Sequence, residues 1–318
     1  MGSEYESDHS KLQLPSVRLS QLNSTPGSIS WKSTAEIVRR ALETDGCLVV
    51  ACDNKPPPEA MFSGLLEELF ALPPSTKIKH TSDLPGFGYG GNFSLMPLFE
   101  YFGIEDGATV DAARRFTRLM WPHGHPTFSE SLHAYCKALL EVYGTVMGMV
   151  VSSYGLDTDK YHNELTASPL YMTRIMKYKI SSNSNSDSVG IIPHRDKSFM
   201  TVIGTNEVNG LQIETPAGDW VDFHPSPASF IVIVGEALMA WSNGRIYCPL
   251  HKVIAHESKE KYSIGIFSFI RGVVSVPPEL VDDQNPLRFK PFRNLEFLRY
   301  CKAGGATMAS AIRTYCGL

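Results

Sequence analysis

The stretch PHRDKSFMTVIGT, residues 193–205, contains the two features that decide the fold and the chemistry of this chain. Its first half carries His194 and Asp196, and its second half, Phe199–Thr205, is a short apolar run typical of a buried β-strand. In an extended segment, residues i and i+2 point the same way with backbones about 7 Å apart, so both side chains can approach one ion. Alone, the pattern is weak, because a salt-bridged surface pair has the same sequence.

A second histidine strengthens the hypothesis of a metal site. His251 lies several predicted strands further on, in the stretch NGRIYCPLHKV, residues 243–253. Two imidazoles and one carboxylate can hold one face of an octahedral iron(II) ion and leave three positions open. The same set also suits catalytic zinc, and His251 alone could be a buried, hydrogen-bonded core histidine. In a jelly roll, the three positions can be neighbours at one open end.

Short apolar runs separated by turn residues continue on both sides of this stretch and favour a barrel or jelly roll. The predicted strands are Tyr171–Ile180, Phe199–Thr205, Gly210–Glu214, Trp220–Phe223, Phe230–Val234, Ile246–Ile254 and Tyr262–Ile270. The first half is predicted to be mainly helical, because apolar residues there recur with helical spacing. It comprises helices at Trp31–Glu43, Glu59–Leu72 and Ser129–Tyr154, strands at Leu12–Leu19 and Cys47–Ala51, and a loop at Asp83–Gly91.

The composition and charge of the chain indicate which partners to expect. The chain has 318 residues, 43% hydrophobic and 19% charged, with a formal net charge of -4 and no long basic run. We therefore expect neither nucleic acid nor an anionic membrane as a partner, and we expect a small-molecule substrate instead. No apolar signal segment or run of eighteen apolar residues is evident, and the six cysteines form no CxxC pair. These features predict a cytoplasmic protein with reduced thiols, and we also expect a monomer.

The chain resembles the plant iron(II)- and 2-oxoglutarate-dependent dioxygenases over about residues 12–300. His194-Arg195-Asp196 stands at the HxD motif of that family, and the segment from Asn243-Gly244-Arg245 to His251-Lys252-Val253 is similar to its NGR…HRV segment. Lys261-Tyr262-Ser263 falls at its Arg-x-Ser motif. The most similar branch is the AOP-like one, which shares Lys177-Tyr178 and the lysine after the HxD motif.

The resemblance implies an α+β, mainly β fold. Its core is a double-stranded β-helix (jelly roll), with N-terminal and central helices packed around it. The expected organisation is one structural unit with four segments: a disordered tail (1–11), an N-terminal helical and strand region (12–125), the catalytic core (126–300, with its motifs in 170–272) and a C-terminal helix (301–318).

The resemblance also implies a set of site residues and cofactors. Iron(II) would be bound by the catalytic residues His194, Asp196 and His251. The co-substrate 2-oxoglutarate would be held by Lys261, Ser263 and Tyr178, with O2 as oxidant and ascorbate as reductant. Two positions depart from the family pattern. Lys261 replaces an arginine, so a point charge replaces a planar fork, and Met176 replaces a common asparagine. Lys259 or another basic residue is the alternative anchor.

The implied activity is oxidative modification of a small plant specialised metabolite. Hydroxylation is expected, with demethylation, desaturation and cyclisation as further outcomes, and succinate and CO2 are the co-products. Phe267 and Phe269 share the strand face of Ser263 and are candidate substrate contacts, as is Phe87 in a Gly-rich loop; plain core packing is the alternative. The alternative functions are an iron oxidase that does not use 2-oxoglutarate, a hormone-inactivating dioxygenase and a catalytically silent small-molecule-binding barrel.

Overall fold

Two β-sheets packed face to face form the centre of the molecule, and helices cover the outer face of the larger one. The computed structural model describes residues 13–22, 25–52, 60–167, 169–181, 189–226, 228–305 and 310–318. The predicted disordered tail, residues 1–11, lies outside this described part.

The larger sheet has eight strands, in the spatial order β1-β2-β10-β7-β12-β5-β4-β3. They are β1 (Ser16–Arg18), β2 (Cys47–Ala51), β3 (Gly88–Gly90), β4 (Phe99–Glu105), β5 (Pro169–Tyr178), β7 (Met200–Thr205), β10 (Ser229–Val234) and β12 (Lys261–Ile270). The smaller sheet has the order β6-β11-β8-β9. Its strands are β6 (Val189–His194), β8 (Leu211–Glu214), β9 (Trp220–Asp222) and β11 (His251–Ile254). A two-stranded ribbon joins β13 (Val273–Val274) and β14 (Phe292–Arg293).

The described α-helices lie mostly before β5 and after β12. They are Leu19–Leu22, Ile29–Thr44, Leu66–Ala71, Pro74–Lys77, Val110–Met120, Pro126–Ser153, Thr158–Ala167, Glu236–Trp241, Asn294–Tyr300 and Ala311–Cys316. Two π-helical turns, Met61–Leu65 and Cys301–Gly305, and a 3-10 turn, Pro278–Leu280, complete the helical elements of the described residues.

The side chains of strand β12 alternate between the two faces of the large sheet, and both faces are covered. All ten of its residues are buried. Even-numbered residues such as Ile264 and Ile266 pack into the core under the helices, whereas Phe267 and Phe269 pack between the sheets. The odd-numbered residues thus share the inner face with Ser263, as predicted, because side chains alternate along a strand. The sequence of a strand that is covered on both faces is therefore one continuous, mainly apolar run.

The long helix Pro126–Ser153 supports the large sheet from outside. It begins three residues before the predicted start at Ser129, because Pro126 suits the first turn and His125 Nδ1 accepts a hydrogen bond from Phe128 N at 3.2 Å. Among the described residues, this one helix is long and apolar enough to cross a membrane, and 61% of its most apolar window is buried inside the protein. A mostly buried core helix passes the same test of length and composition.

The structure shows more detail than the predicted segments. Residues 126–167, at the start of the predicted catalytic core, are almost entirely helical, and β1 to β4 of the preceding region pair into the large sheet. The predicted loop Asp83–Gly91 contains β3, which pairs with β4. The predicted C-terminal helix 301–318 is instead a π-helical turn and a short helix, Ala311–Cys316. Gly304 interrupts the helix with a φ of 103°.

The segment Asn243-Gly244-Arg245 holds the chain that follows β12 in place through hydrogen bonds. Asn243 and Gly244 both have positive φ values, 57° and 79°. The Asn243 amide donates to the carbonyl oxygens of Leu280 and Pro286 at 3.3 and 3.1 Å, and its Oδ1 accepts from Arg288 N at 2.9 Å. The predicted strand Ile246–Ile254 therefore begins only at His251, after this turn and the Pro249 that follows it.

Candidate active site

Pairing of β6 with β11 places the two candidate histidines side by side. His194 ends β6, His251 begins β11, and the two residues are direct partners in the antiparallel ladder. Their ring centroids lie 4.2 Å apart. Asp196 lies two residues beyond the end of β6, in a loop, so the predicted extended segment stops at His194. The loop still turns the carboxylate towards both rings.

The Asp196 carboxylate uses its two oxygens differently. Oδ1 lies 3.7 Å from His194 Nε2 and 3.6 Å from His251 Nε2, and one ligand atom from each residue falls within a 4.8 Å cluster. Oδ2 accepts a hydrogen bond from Thr201 Oγ1 at 2.6 Å. The backbone N–H of Glu236 donates to Asp196 O at 2.8 Å and fixes the loop. The arrangement leaves Oδ1 and the two Nε2 atoms facing one point.

The protonation states in this cluster suit a metal ion. Burial and the neighbouring His251 lower the pKa of His194, which favours its neutral form. Burial alone would raise the pKa of Asp196, but His251, His194 and the Thr201 hydroxyl more than offset this and lower it. His194 Nδ1 lies 2.9 Å from Ile192 O, so a proton on Nδ1 leaves Nε2 free to coordinate. Two imidazoles and one carboxylate are a ligand set that fits iron(II).

The His194–Asp196–His251 cluster lines a small cavity, called the inner cavity below, and Lys261 lines it too. Lys261 is only 2% exposed. Its Nζ donates to Thr205 Oγ1 at 2.8 Å and to Val208 O at 2.6 Å. No carboxylate of the described residues pairs with it, and burial lowers the pKa of this amine to about 7. A buried cation with only neutral partners is costly, so an incoming carboxylate would complete the site.

Ser263 and Tyr178 lie on neighbouring strands at this end. Strand pairing places Lys261 opposite Tyr178 and Ser263 opposite Met176. All four side chains line the cavity that also contains the His194–Asp196–His251 cluster. The Tyr178 hydroxyl lies 3.5 Å from Met176 Sδ, a weak acceptor, and burial raises the pKa of this tyrosine. The hydroxyl remains a protonated donor, while Met176 offers no N–H group.

A wider cavity of about 310 Å³ forms the mouth of the site. It shares His194, Asp196, Arg174 and Phe267 with the inner cavity and adds Phe269 among its other lining residues. Both predicted phenylalanines, Phe267 and Phe269, therefore line the mouth cavity. Phe87 does not line either of these two cavities; it is buried and packs on Phe269 with ring centroids 6.1 Å apart.

Three residues of the site were missed by reading the sequence. Thr201 and Thr205 sit within the predicted strand Phe199–Thr205, and their alternation would place both on one face. Nothing in the sequence distinguishes them from ordinary strand threonines. Arg174 in β5 likewise looks like a solvent-facing strand residue, yet it lines both cavities.

Comparison with known proteins agrees with this geometry. Residues 171–270 match the 2OG-Fe(II) oxygenase superfamily. The chain is 33% identical to the Arabidopsis thaliana protein named probable 2-oxoglutarate-dependent dioxygenase AOP1, over 98% of both chains. It is 26% identical to the Arabidopsis thaliana 2-oxoglutarate-dependent dioxygenase AOP3, over 96% of this chain and 98% of that one.

Solved structures share the whole architecture. The rice dioxygenase for auxin oxidation superimposes with a TM-score of 0.80 at 27% identity, covering 96% of this chain and 100% of that one. JOX2, solved with 2OG, Fe and JA, has the same fold with a TM-score of 0.78 at 20% identity, covering 96% of this chain and 90% of that one. The chain therefore belongs to the 2OG-Fe(II) oxygenase superfamily, as a homologue of the AOP 2-oxoglutarate-dependent dioxygenases.

Proposed function

We propose that His194, Asp196 and His251 are the iron(II) ligands of this 2-oxoglutarate-dependent dioxygenase. The observation that carries the assignment is the convergence of their three ligand atoms within 4.8 Å at the junction of the two cavities. We further propose that the two facing sheets are the double-stranded β-helix, or jelly roll, of this superfamily. Phe267 and Phe269 are proposed to contact the substrate.

The co-substrate end is assigned to Lys261, Ser263 and Tyr178. The Lys261 ammonium binds the distal carboxylate of 2-oxoglutarate, and the Ser263 hydroxyl donates to the same group. Tyr178 donates from its hydroxyl to the keto-acid end. Bound iron(II) supplies the activation of O2 that couples decarboxylation of 2-oxoglutarate to oxidation of the substrate, with succinate and CO2 as co-products.

The organic substrate is proposed to be a small plant specialised metabolite. The relatives named AOP dioxygenases and the structural neighbour named for auxin oxidation support a small molecule. The mouth cavity of about 310 Å³ is at the lower end of the usual size for small-molecule sites. Hydroxylation is the primary outcome proposed.

The assignment is tested by oxygen uptake and succinate formation with the iron(II)-loaded protein, 2-oxoglutarate and a plant extract. Wild-type protein is expected to form succinate and a product heavier by one oxygen atom or lighter by one methylene unit. His251→Ala should abolish both products and the binding of metal. Iron binding that survives in His251→Ala, or full activity with zinc in place of iron, contradicts the ligand assignment.

We also propose a cytoplasmic, monomeric protein. Support comes from five buried cysteines that form no disulfide among the described residues: Cys47, Cys136, Cys248, Cys301 and Cys316. Such thiols are typical of a reducing compartment. Analytical ultracentrifugation of the full chain tests the oligomeric state, and localisation of a tagged protein tests the compartment.

A further inference from the structure

Arg174 occupies the boundary between the inner cavity and the mouth. It lies on β5 and points to the same face as Met176 and Tyr178. Its neighbours across the sheet are glycines on both sides, Gly103 in β4 and Gly265 in β12. The room for its long side chain comes from a loop glycine, since a Cβ atom built at Gly86 would clash with Arg174 Nη2. The position therefore accommodates a guanidinium beside the metal cluster.

The guanidinium is held in place by two aromatic rings. Its central carbon lies 4.8 Å from the centroid of Tyr101 and 5.0 Å from that of Phe267. One terminal nitrogen, Nη2, donates to Gly86 O at 3.1 Å and lies 3.7 Å from Met172 Sδ. Contacts of this kind hold a planar fork in one orientation before any ligand arrives.

Not every N–H group of Arg174 donates a hydrogen bond to the protein. Its Nε is buried and has no hydrogen-bond partner among the described residues. No carboxylate within the described part of the chain forms an ion pair with it. A buried donor without a partner destabilises the folded protein, so a purely structural arginine is unfavourable at this position. An acceptor supplied by a ligand would satisfy it.

The charge of the surrounding walls favours an anion. The two cavities are lined by five cations: Arg174, Arg195, Lys197, Lys261 and Lys302. Asp196 is the single carboxylate among the lining residues, and the metal ion would neutralise it. Lys197 is paired with Glu236 at 2.5 Å, whereas Arg174 forms no ion pair among the described residues. Its charge acts on the nearby Asp196, whose pKa it lowers, but that carboxylate would bind the metal ion. Clefts lined by one sign of charge concentrate ligands of the other sign.

Arg174 and Lys261 serve different ends of the site. Lys261, with Thr205 and Ser263, lines the inner cavity and takes no part in the mouth. Arg174 lines both cavities, and the mouth around it adds the apolar side chains of Met172, Phe269 and Leu298. A ligand at the mouth could thus place an anionic group on Arg174 and an apolar body against these side chains.

We propose that Arg174 binds the carboxylate of the organic substrate, and that the substrate class is a small apolar organic acid. The proposal rests on the function proposed above, since it names the substrate of that site. Arginine offers two parallel N–H groups to a carboxylate, which fixes the orientation of the acid as well as its affinity. Arg174 is then a specificity-determining residue, next to the metal and distinct from the 2-oxoglutarate anchor.

The test uses equilibrium binding to the manganese(II)- and 2-oxoglutarate-loaded protein, which does not turn over. The probes are benzoate, cinnamate, phenylacetate and indole-3-acetate, each compared with its neutral methyl ester by calorimetry. In wild-type protein, at least one acid is expected to bind about ten-fold more tightly than its ester, as one charge-assisted hydrogen bond would give. Arg174→Gln should remove this acid-over-ester preference, and Arg174→Lys should retain part of it.

Lys302→Gln is the matched control, because it removes one exposed positive charge from the same mouth. It should change acid binding by less than about two-fold, as expected for an exposed charge screened by salt. The affinity for 2-oxoglutarate should be unchanged in Arg174→Gln. The proposal is overturned if no acid binds more tightly than its ester, if Arg174→Gln keeps the preference, or if that variant loses 2-oxoglutarate instead.

Failure of the proposed function is detected separately. Succinate formation by the iron-loaded wild-type protein depends on the metal and on 2-oxoglutarate, whereas the manganese titrations involve no turnover. Absence of succinate therefore counts against the proposed function, while the acid-to-ester ratio still decides the role of Arg174.

Discussion

At the scale of single residues, Lys261 gives the co-substrate end a pH dependence that an arginine would not have. Burial lowers the pKa of its amine to about 7 in the ligand-free protein. Below pH 7 the ammonium is present and can bind the distal carboxylate of 2-oxoglutarate. Above pH 7 the neutral amine predominates, so binding must take up a proton and weakens as the pH rises.

We therefore expect the dissociation constant of 2-oxoglutarate in wild-type protein to rise about five-fold between pH 7 and pH 8. Above pH 8 the rise should approach about ten-fold per pH unit, the slope of one proton per ligand. Lys261→Arg should remove this rise, since arginine stays protonated throughout, and Lys261→Ala should bind weakly at every pH. Titration of the manganese-loaded protein with 2-oxoglutarate between pH 6 and pH 9 measures the dissociation constant as a function of pH. A flat profile in wild-type protein would show that Lys261 is not the anchor.

A second residue-scale prediction concerns Thr201, whose hydroxyl donates to Asp196 Oδ2. Thr201→Val keeps the shape and removes the hydrogen bond, so the Asp196 carboxylate is less fixed and its pKa rises. Loss of such a supporting hydrogen bond typically lowers metal affinity about 10–100-fold. Competition with a fluorescent chelator for manganese(II) measures this.

Thr173→Val is the control for the Thr201 experiment. Thr173 is also buried in a strand, but its hydroxyl contacts only Cys136 Sγ at 3.7 Å. Metal affinity in Thr173→Val should equal that of wild-type protein. Equal affinities in all three proteins would remove Thr201 from the metal site.

At the scale of elements, the docking of the long helix Pro126–Ser153 on the large sheet depends on Gly204 in β7. A Cβ atom built at Gly204 would lie 1.8 Å from Tyr135 Oη and 3.0 Å from a ring carbon of Phe230. The Tyr135 hydroxyl is buried and has no hydrogen-bond partner among the described residues. A glycine thus makes room for a hydroxyl that contributes little hydrogen bonding.

Gly204→Ala should lower the free energy of unfolding by about 1–3 kcal/mol, the usual cost of overpacking a core. Tyr135→Phe alone should be neutral or stabilising by about 1 kcal/mol, because it removes an unsatisfied polar group. The double variant should recover part of the loss, since the clashing oxygen is absent. Urea unfolding of wild-type protein, the two single variants and the double variant gives a double-mutant cycle. If the loss of stability in the double variant equals the sum of the losses in the single variants, Gly204 and the Tyr135 hydroxyl are not in close contact.

At the scale of the whole molecule, the two sheets are predicted to be linked by the ligands. His194 and His251 belong to the small sheet, whereas Lys261 and Ser263 belong to the large one. Metal and 2-oxoglutarate bound together therefore bridge both sheets. A ligand that binds only the native state stabilises it by about 2.7 kcal/mol at a hundred times its dissociation constant.

Manganese(II) alone should raise the unfolding temperature, and 2-oxoglutarate added with the metal should raise it further. Lys261→Ala should lose only the second increment, and His251→Ala should lose both. Differential scanning calorimetry at fixed ligand concentrations measures the two steps. An increment from 2-oxoglutarate that persists in metal-free wild-type protein would show that the co-substrate does not need the metal.

The sequence by itself determined the local elements and the identity of the cluster. The alternation in β12 and the apolar run of β2 were predicted with bounds that differ by at most one residue, because each depends on side-chain periodicity along one strand. His194, Asp196 and His251 were selected because few combinations of side chains can hold such an ion. Strands β4 and β6 were not predicted, since their residues alternate weakly and their stability comes from neighbours distant in sequence.

Only the tertiary structure decided what surrounds the cluster. Register between β6 and β11 sets His194 opposite His251, and folding of the loop brings the Thr201 hydroxyl onto Asp196. Burial gives Lys261 its lowered pKa, and the absence of a side chain at Gly86 leaves the space that the Arg174 guanidinium occupies. These properties arise from contacts between residues far apart in the chain. No local pattern encodes them, because desolvation and hydrogen-bond geometry exist only once the sheets have packed.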